Sequence, residues 1–141
     1  MLRGIAMRRS LFCVCLCLAV CFLPGCITRQ EEGQKIRDLE YTVLDNEDIP
    51  EELKVVIEEE QEGAFYLTYE DQGKLYLARG YGTQPETGYS VRVDALYETE
   101  HAVCFHTSLL GPQPGEETRE ISTYPYVAVQ LEPVGKDVLF D

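Results

Sequence analysis

The chain has no tryptophan, only 2 histidines, and 12 lysines and arginines against 25 acidic residues. Past residue 26 it holds a single cysteine, Cys104. It has no phosphate-cradling glycine loop followed by a lysine, no metalloprotease helix and no nucleophile elbow. His101 and His106 are five apart on an expected strand, so their side chains should face opposite ways and share neither a metal nor a substrate. Nothing has the spacing of a structural zinc site. The expectation is therefore a protein that is not an enzyme and holds no metal and no cofactor. Long apolar stretches are missing too. Leu11 to Leu23 is uninterrupted, but a membrane-spanning helix needs roughly 20 residues.

That short run instead fits an export signal. Arg3, Arg8 and Arg9 give a positive start, and the apolar core is of signal-peptide length. It ends in Leu23-Pro24-Gly25-Cys26, which resembles the lipobox of bacterial lipoprotein signals, with Pro24 a less usual occupant of its place. The resemblance implies that residues 1–25 are removed and that the Cys26 thiol carries a diacylglycerol. A cysteine acylated in this way holds a protein firmly, since each buried methylene contributes about 0.8 kcal/mol and two chains succeed where one is marginal. An ordinary secretory signal and an uncleaved signal anchor are the alternatives. The expected location is the extracytoplasmic face of a cell membrane.

Removing the signal sharpens the charge. Three of the 12 basic residues go and all 25 acids stay, which leaves 9 against 25, a net −16. Such a surface repels phosphate backbones, so nucleic acid is not an expected partner. Four of the 6 cysteines lie within the signal and Cys26 is the lipid site, so Cys104 is the remaining thiol. One thiol makes no internal disulfide, and within Ala102-Val103-Cys104-Phe105 it reads as a small buried hydrophobe.

Residues 26–40 are polar, without apolar periodicity, and read as a flexible tether. Residues 41–141 then suffice for one domain, with its core at about 64–133. Tyr41 to Leu44 suggests a first short strand. Asp48 is the expected N-cap of a helix with Pro50 in its first turn, a stripe of Ile49, Leu53, Val56 and Ile57, and a stop at Gly63. Phe65–Tyr69 and Lys74–Ala78 should pair as a hairpin across Glu70 to Gly73. Tyr89 to Tyr97 alternates, placing Tyr89, Val91, Val93, Ala95 and Tyr97 on one core face. Further strands are expected near 101–109 and at Tyr126–Leu131, with a loose tail after Pro133. The fold class is α+β, one helix packed on a mostly antiparallel sheet of about five strands.

Two loop segments are distinctive. Thr83 to Ser90 sets Gly88 before Tyr89 at a strand start, and Thr123-Tyr124-Pro125-Tyr126 does the same with a proline. Both could simply open strands, where Gly permits positive φ and Pro blocks helix. Tyrosine, with an apolar ring and a polar tip, is also what a binding edge uses.

From about Leu77 to Leu131 these features together resemble the C-terminal domain of the PrcB family, accessory lipoproteins of a bacterial surface protease complex. The resemblance rests on Gly82, Thr83, Pro85, Gly88, Tyr89 and Ser90, then on Pro112, Pro114, Gly115, Thr123, Tyr124, Pro125 and Tyr126. Thr87-Gly88 stands where the family usually has a Gly pair. The resemblance implies a non-catalytic protein-binding module that stabilises or assists an exported protease or another envelope protein, with no catalytic residues. Its candidate contacts are Pro85, Thr87, Gly88, Tyr89, Ser90, Tyr124, Pro125 and Tyr126. Pro85-x-Thr87-Gly88-Tyr89 is also similar to a loop of chagasin-type cysteine-protease inhibitors, whose Gly-rich and Arg-Pro-Trp loops are absent here. That supports the alternative of an inhibitor wedging the 84–90 and 111–117 loops into a protease cleft.

Overall fold

Leu53 and Ile57 stand four residues apart and so share one helix face. A computed structural model describes residues 33–141, and there Leu53 and Ile57 are buried on α1 (Glu51–Glu60), while Ile49, just ahead of the helix, is buried in the same apolar cluster. Val56 leans off the stripe and is 37% exposed. Helix α1 starts at Pro50, whose ring holds Ile49 in extended backbone and prevents an earlier start. Asp48 is therefore not the cap: it lies in a separate 3-10 turn, Asn46–Asp48. Glu51 and Glu52 sit favourably in the first turn, near the positive end of the helix dipole. The expected signal peptide and Cys26 lie outside the described residues.

The described residues form eight strands: β1 (Lys35–Asp38), β2 (Thr42–Val43), β3 (Ala64–Asp71), β4 (Lys74–Tyr81), β5 (Ser90–Thr99), β6 (Ala102–Leu110), β7 (Tyr126–Leu131) and β8 (Asp137–Phe140). They form two four-stranded sheets rather than one of about five strands, in the orders β1-β5-β6-β8 and β2-β7-β4-β3. The reason is visible in β4 and β7, which are apolar on both faces. Leu75, Leu77, Val127, Val129 and Leu131 pack against Leu96, Val103 and Phe105 of the other sheet. Ala78 and Ala128 face the opposite way, under Ile49, Leu53 and Ile57. The β3–β4–β7 sheet is thus the middle of three layers, with helix on one side and sheet on the other. The class α+β stands, with every sheet pairing antiparallel except β6–β8.

Three further expectations are corrected. Lys35–Asp38, inside the supposed tether, pairs with Tyr97–Thr99 as β1. The supposedly loose tail forms β8, parallel to Ala102–Phe105, and the Asp141 N–H donates to the Phe105 carbonyl at 3.1 Å. In β5 a bulge between Val93 and Ala95 inserts one residue and reverses the alternation. Val91 and Val93 face the core as expected, but beyond the bulge Leu96 takes over, and Tyr97 stacks on His106 with centroids 5.4 Å apart. His101 lies outside β6, exposed in the turn before it. Cys104 is fully buried.

The 71–74 hairpin closes on Gln72 and Gly73, with φ of 49° and 74°. Positive φ at both central residues is the type I′ turn, which matches strand twist but costs a residue with a Cβ. Gln72→Asn is expected to raise stability by about 0.5–1 kcal/mol, read from the urea midpoint at unchanged slope.

Above the helix, the Tyr69 hydroxyl donates to Glu52 Oε2 at 2.8 Å. That bond, with some desolvation and nearby acids, pushes the phenol up from 10.0 to about 12. A phenol raised on folding contributes stability that is complete below its unfolded pKa and fades as pH climbs through the folded one. A phenolate absorbance titration should show one tyrosine ionising near 12, absent in Tyr69→Phe, whose alkaline stability profile should be flatter between 10 and 12.

The edge formed by β3 and β8 is closed by side chains. Phe140 lies 5.2 Å from Tyr66 and packs edge-on to Phe105 at 5.9 Å. The Arg79 guanidinium, 8% exposed, sits between the rings of Tyr66 and Tyr81 at 4.3 and 4.0 Å. Tyr81 and Thr107 share a 2.7 Å hydroxyl hydrogen bond. Near β1, Lys136 and Arg37 bind Glu98 at 2.7 and 2.9 Å and hold its carboxyl below the usual range.

Candidate functional site

On the opposite edge a single run of chain serves both sheets. Lys35–Asp38 pairs with β5, and Leu39 donates to the Leu96 carbonyl at 3.0 Å. The chain then crosses over. Thr42 and Val43 pair with Gln130 and Val129 of β7, and Leu44 donates to the Ala128 carbonyl at 2.9 Å. The crossing covers only the C-terminal halves of β5 and β7. Their N-terminal halves are left facing a groove of about 360 Å³.

Four of the sequence-predicted residues meet in that groove. Tyr89 and Ser90 come from the start of β5, and Pro125 and Tyr126 from the start of β7. Val91, Val127 and Ala128 supply apolar floor, and Val43, Leu44, Asp45 and Asn46 form the far wall. The Tyr126 hydroxyl donates to Asn46 Oδ1 at 3.3 Å, and burial, with the nearby Glu58 carboxylate, pushes its phenol up.

The remaining candidates hold the groove's end in place or lie away from it. Gln84 and Thr123 exchange backbone hydrogen bonds of 2.8 and 3.0 Å in an isolated bridge. Thr87 donates its N–H to the Arg119 carbonyl and accepts from the Arg119 N–H at its hydroxyl, both at 3.0 Å. Thr118 and Thr123 donate their hydroxyls to Glu86, each at 2.8 Å. Gly88 has φ 95°, and a side chain there would press on Pro112. Thr87 and Gly88 therefore fix where Tyr89 emerges. Pro85 is exposed on the same loop, and Tyr124 is half-buried without lining the groove. The 111–117 loop lies beside Gly88 through Pro112 and is mostly exposed.

Sequence reasoning missed Val43 to Asn46, which looked like a strand end and a turn. Only the crossing from one sheet to the other carries them to this site. Chemically the groove is mixed, an apolar floor beside polar walls, suited to holding a side chain or a backbone. Among the described residues no three His, Cys, Asp or Glu are grouped to hold a metal, and no helix is long and apolar enough to cross a membrane. A larger hollow of about 560 Å³ lies around the exposed Lys74–Glu132 pair, between Leu39–Thr42 and Gln130–Glu132. It gathers none of the distinctive loop residues.

Residues 75–132 match the family model described as PrcB C-terminal, and the chain carries that domain over this span. The matched segment contains β4 through β7 and both loops that build the groove. No match was found among curated proteins or among solved structures.

Proposed function

From a chain that carries a PrcB C-terminal domain at residues 75–132, we propose a lipid-anchored, extracytoplasmic protein that binds another protein without catalysing a reaction. It is held at the membrane through Cys26 and docks an exported protease, or another envelope protein, in the groove between β5 and β7. The observation that carries this reading is the convergence of Tyr89, Ser90, Pro125 and Tyr126, from segments some 35 residues apart, on one groove with an apolar floor. Large rings flanking a partly desolvated hollow are the usual anchors of protein recognition. The −16 charge of the segment beyond the signal keeps such a domain off anionic membrane surfaces.

The anchor and the groove are tested separately. Cys26→Ala should move the protein from the membrane fraction to the soluble exported one, and an unchanged membrane fraction would sink the lipid anchor. Photo-cross-linking from position 89 or 126 in intact cells should trap one recurrent protein. Tyr126→Ala should cut that capture by roughly tenfold or more, as hot-spot truncations do. The absence of any cross-linked protein counts against the binding reading.

The inhibitor reading draws on the adjacency of Gly88 and Pro112, which sets the 84–90 and 111–117 loops side by side. Inhibition of a cysteine- or serine-protease panel by micromolar protein would favour it.

A further inference from the structure

The backbone around the groove points to how a partner would enter. β1 covers β5 only from Thr99 to Tyr97, with Leu39 reaching the Leu96 carbonyl. Among the described residues nothing pairs with the outer edge of Ser90–Val93, on the far side of the β5 bulge. On β7 the corresponding edge, among the described residues, is open at Tyr126, past Leu44. An uncovered strand edge presents unpaired N–H and C=O groups and is a ready template for another strand. Here it borders a groove floored by the half-buried Val91 and by Val127.

The chain itself shows the mode. Lys35–Val43 lies antiparallel along the other halves of these two strands and crosses from one sheet to the other. We propose that the partner contributes an extended segment that adds as an antiparallel strand to the Ser90–Val93 edge. Its alternate side chains would be apolar and enter the groove between Tyr89 and Tyr126. The mode deepens the protein-binding reading and rests on it.

Charge selects the guest. The groove's rim holds Asp45, the 3-10 turn next to it adds Glu47 and Asp48, and Glu58 lies close enough to act on Tyr126. On β5 itself Arg92 is paired with Asp94 at 2.7 Å, so it offsets little of this. The complementary segment carries Lys or Arg at its outward positions. A second copy of this chain, with 25 acids against 12 bases in the full sequence, would meet like charge. The outer backbone edge of β3, unpaired among the described residues but overlaid by side chains, is the competing site. Its outward Tyr66 is already committed to Arg79 and Phe140, and it borders neither the groove nor the larger hollow.

The test pans a phage-displayed library of random linear twelve-residue peptides against the full chain in detergent micelles, and then measures selected peptides one by one. Strand addition predicts peptides alternating apolar with cationic residues, and slowed amide exchange confined to Ser90–Val93 and the groove wall. It also predicts at least a tenfold loss of affinity when alternate peptide nitrogens are methylated, and a similar loss for Asp45→Lys, an exposed substitution that leaves the fold intact. Failure to select any peptide, selection of helical or proline-rich peptides, indifference to methylation, or protection on β3 instead would each overturn it. If the cross-links from positions 89 and 126 persist while this test fails, the strand mode falls and the binding reading stands. If both fail, both fall.

Discussion

Phe105→Ala is expected to cost about 3–5 kcal/mol of unfolding free energy, the range for a large aromatic removed from a packed core. Phe105 is fully buried at the centre of the inter-sheet core, among Leu75, Leu77, Leu96, Val127 and Val129. Those neighbours sit on strands fixed by backbone pairing on either side, so the walls cannot close on the vacated space. The loss should exceed simple transfer because Phe140 packs edge-on to the same ring and is itself the last residue of β8. Urea unfolding measures the total. Amide exchange should show β8 opening first, since among the described residues it pairs with β6 alone and its Phe140 loses the ring it packs on. Phe105→Leu should recover much of the loss, and a change below about 1 kcal/mol for Phe105→Ala would show that the two sheets do not share this core.

Gly80→Ala is expected to destabilise by about 1–3 kcal/mol through overpacking. Gly80 pairs across the sheet with Phe65, whose ring lies directly over it, and a Cβ at 80 would fall among the ring carbons. Phe65 is buried beneath α1 with Ile49, Leu53 and Ile57, so the ring has no free direction in which to swing. An aromatic laid over a strand glycine uses the space the missing side chain leaves, and here that space seats the helix. The prediction becomes specific in a double-mutant cycle. Phe65→Leu alone should be destabilising, yet Gly80→Ala should cost much less in the Phe65→Leu background than in the native one. Additive effects would mean that the ring does not depend on the glycine.

Local patterns in the sequence predicted the local elements. The i, i+4 stripe of α1 and the Gln72-Gly73 hairpin follow from nearest-neighbour spacing and turn chemistry, which do not depend on the rest of the molecule. The limits of β7, Tyr126–Leu131, were equally plain between Pro125 and Pro133. The second sheet had a signal too. Leu75-Tyr76-Leu77-Ala78 and Tyr126–Leu131 are apolar on both faces, as strands covered on both sides are, rather than alternating as a half-exposed sheet would.

Other features had no local signal. All four residues of β1 are exposed, and its strand character comes from pairing with β5 rather than from any apolar face. β8 depends on the edge of β6 in the same way, as a short parallel strand beyond Gly135. The β5 bulge changes the phase of a sequence that alternates cleanly on paper, because register is settled by the partner strand. Among the site residues, tyrosine chemistry singled out Tyr89 and Tyr126, whereas Asp45 and Asn46 reach the groove only through the sheet-to-sheet crossing.

By itself the sequence determined the class α+β, the acidic surface and the PrcB C-terminal domain across residues 75–132. Each is written in composition or in short motifs, where the physics is local. Tertiary structure alone decided the order of the strands within the two sheets, that the groove lies between their uncovered halves, and which edge stays open. Those outcomes depend on contacts between residues far apart in the chain, and such contacts form only once the strands have chosen their neighbours.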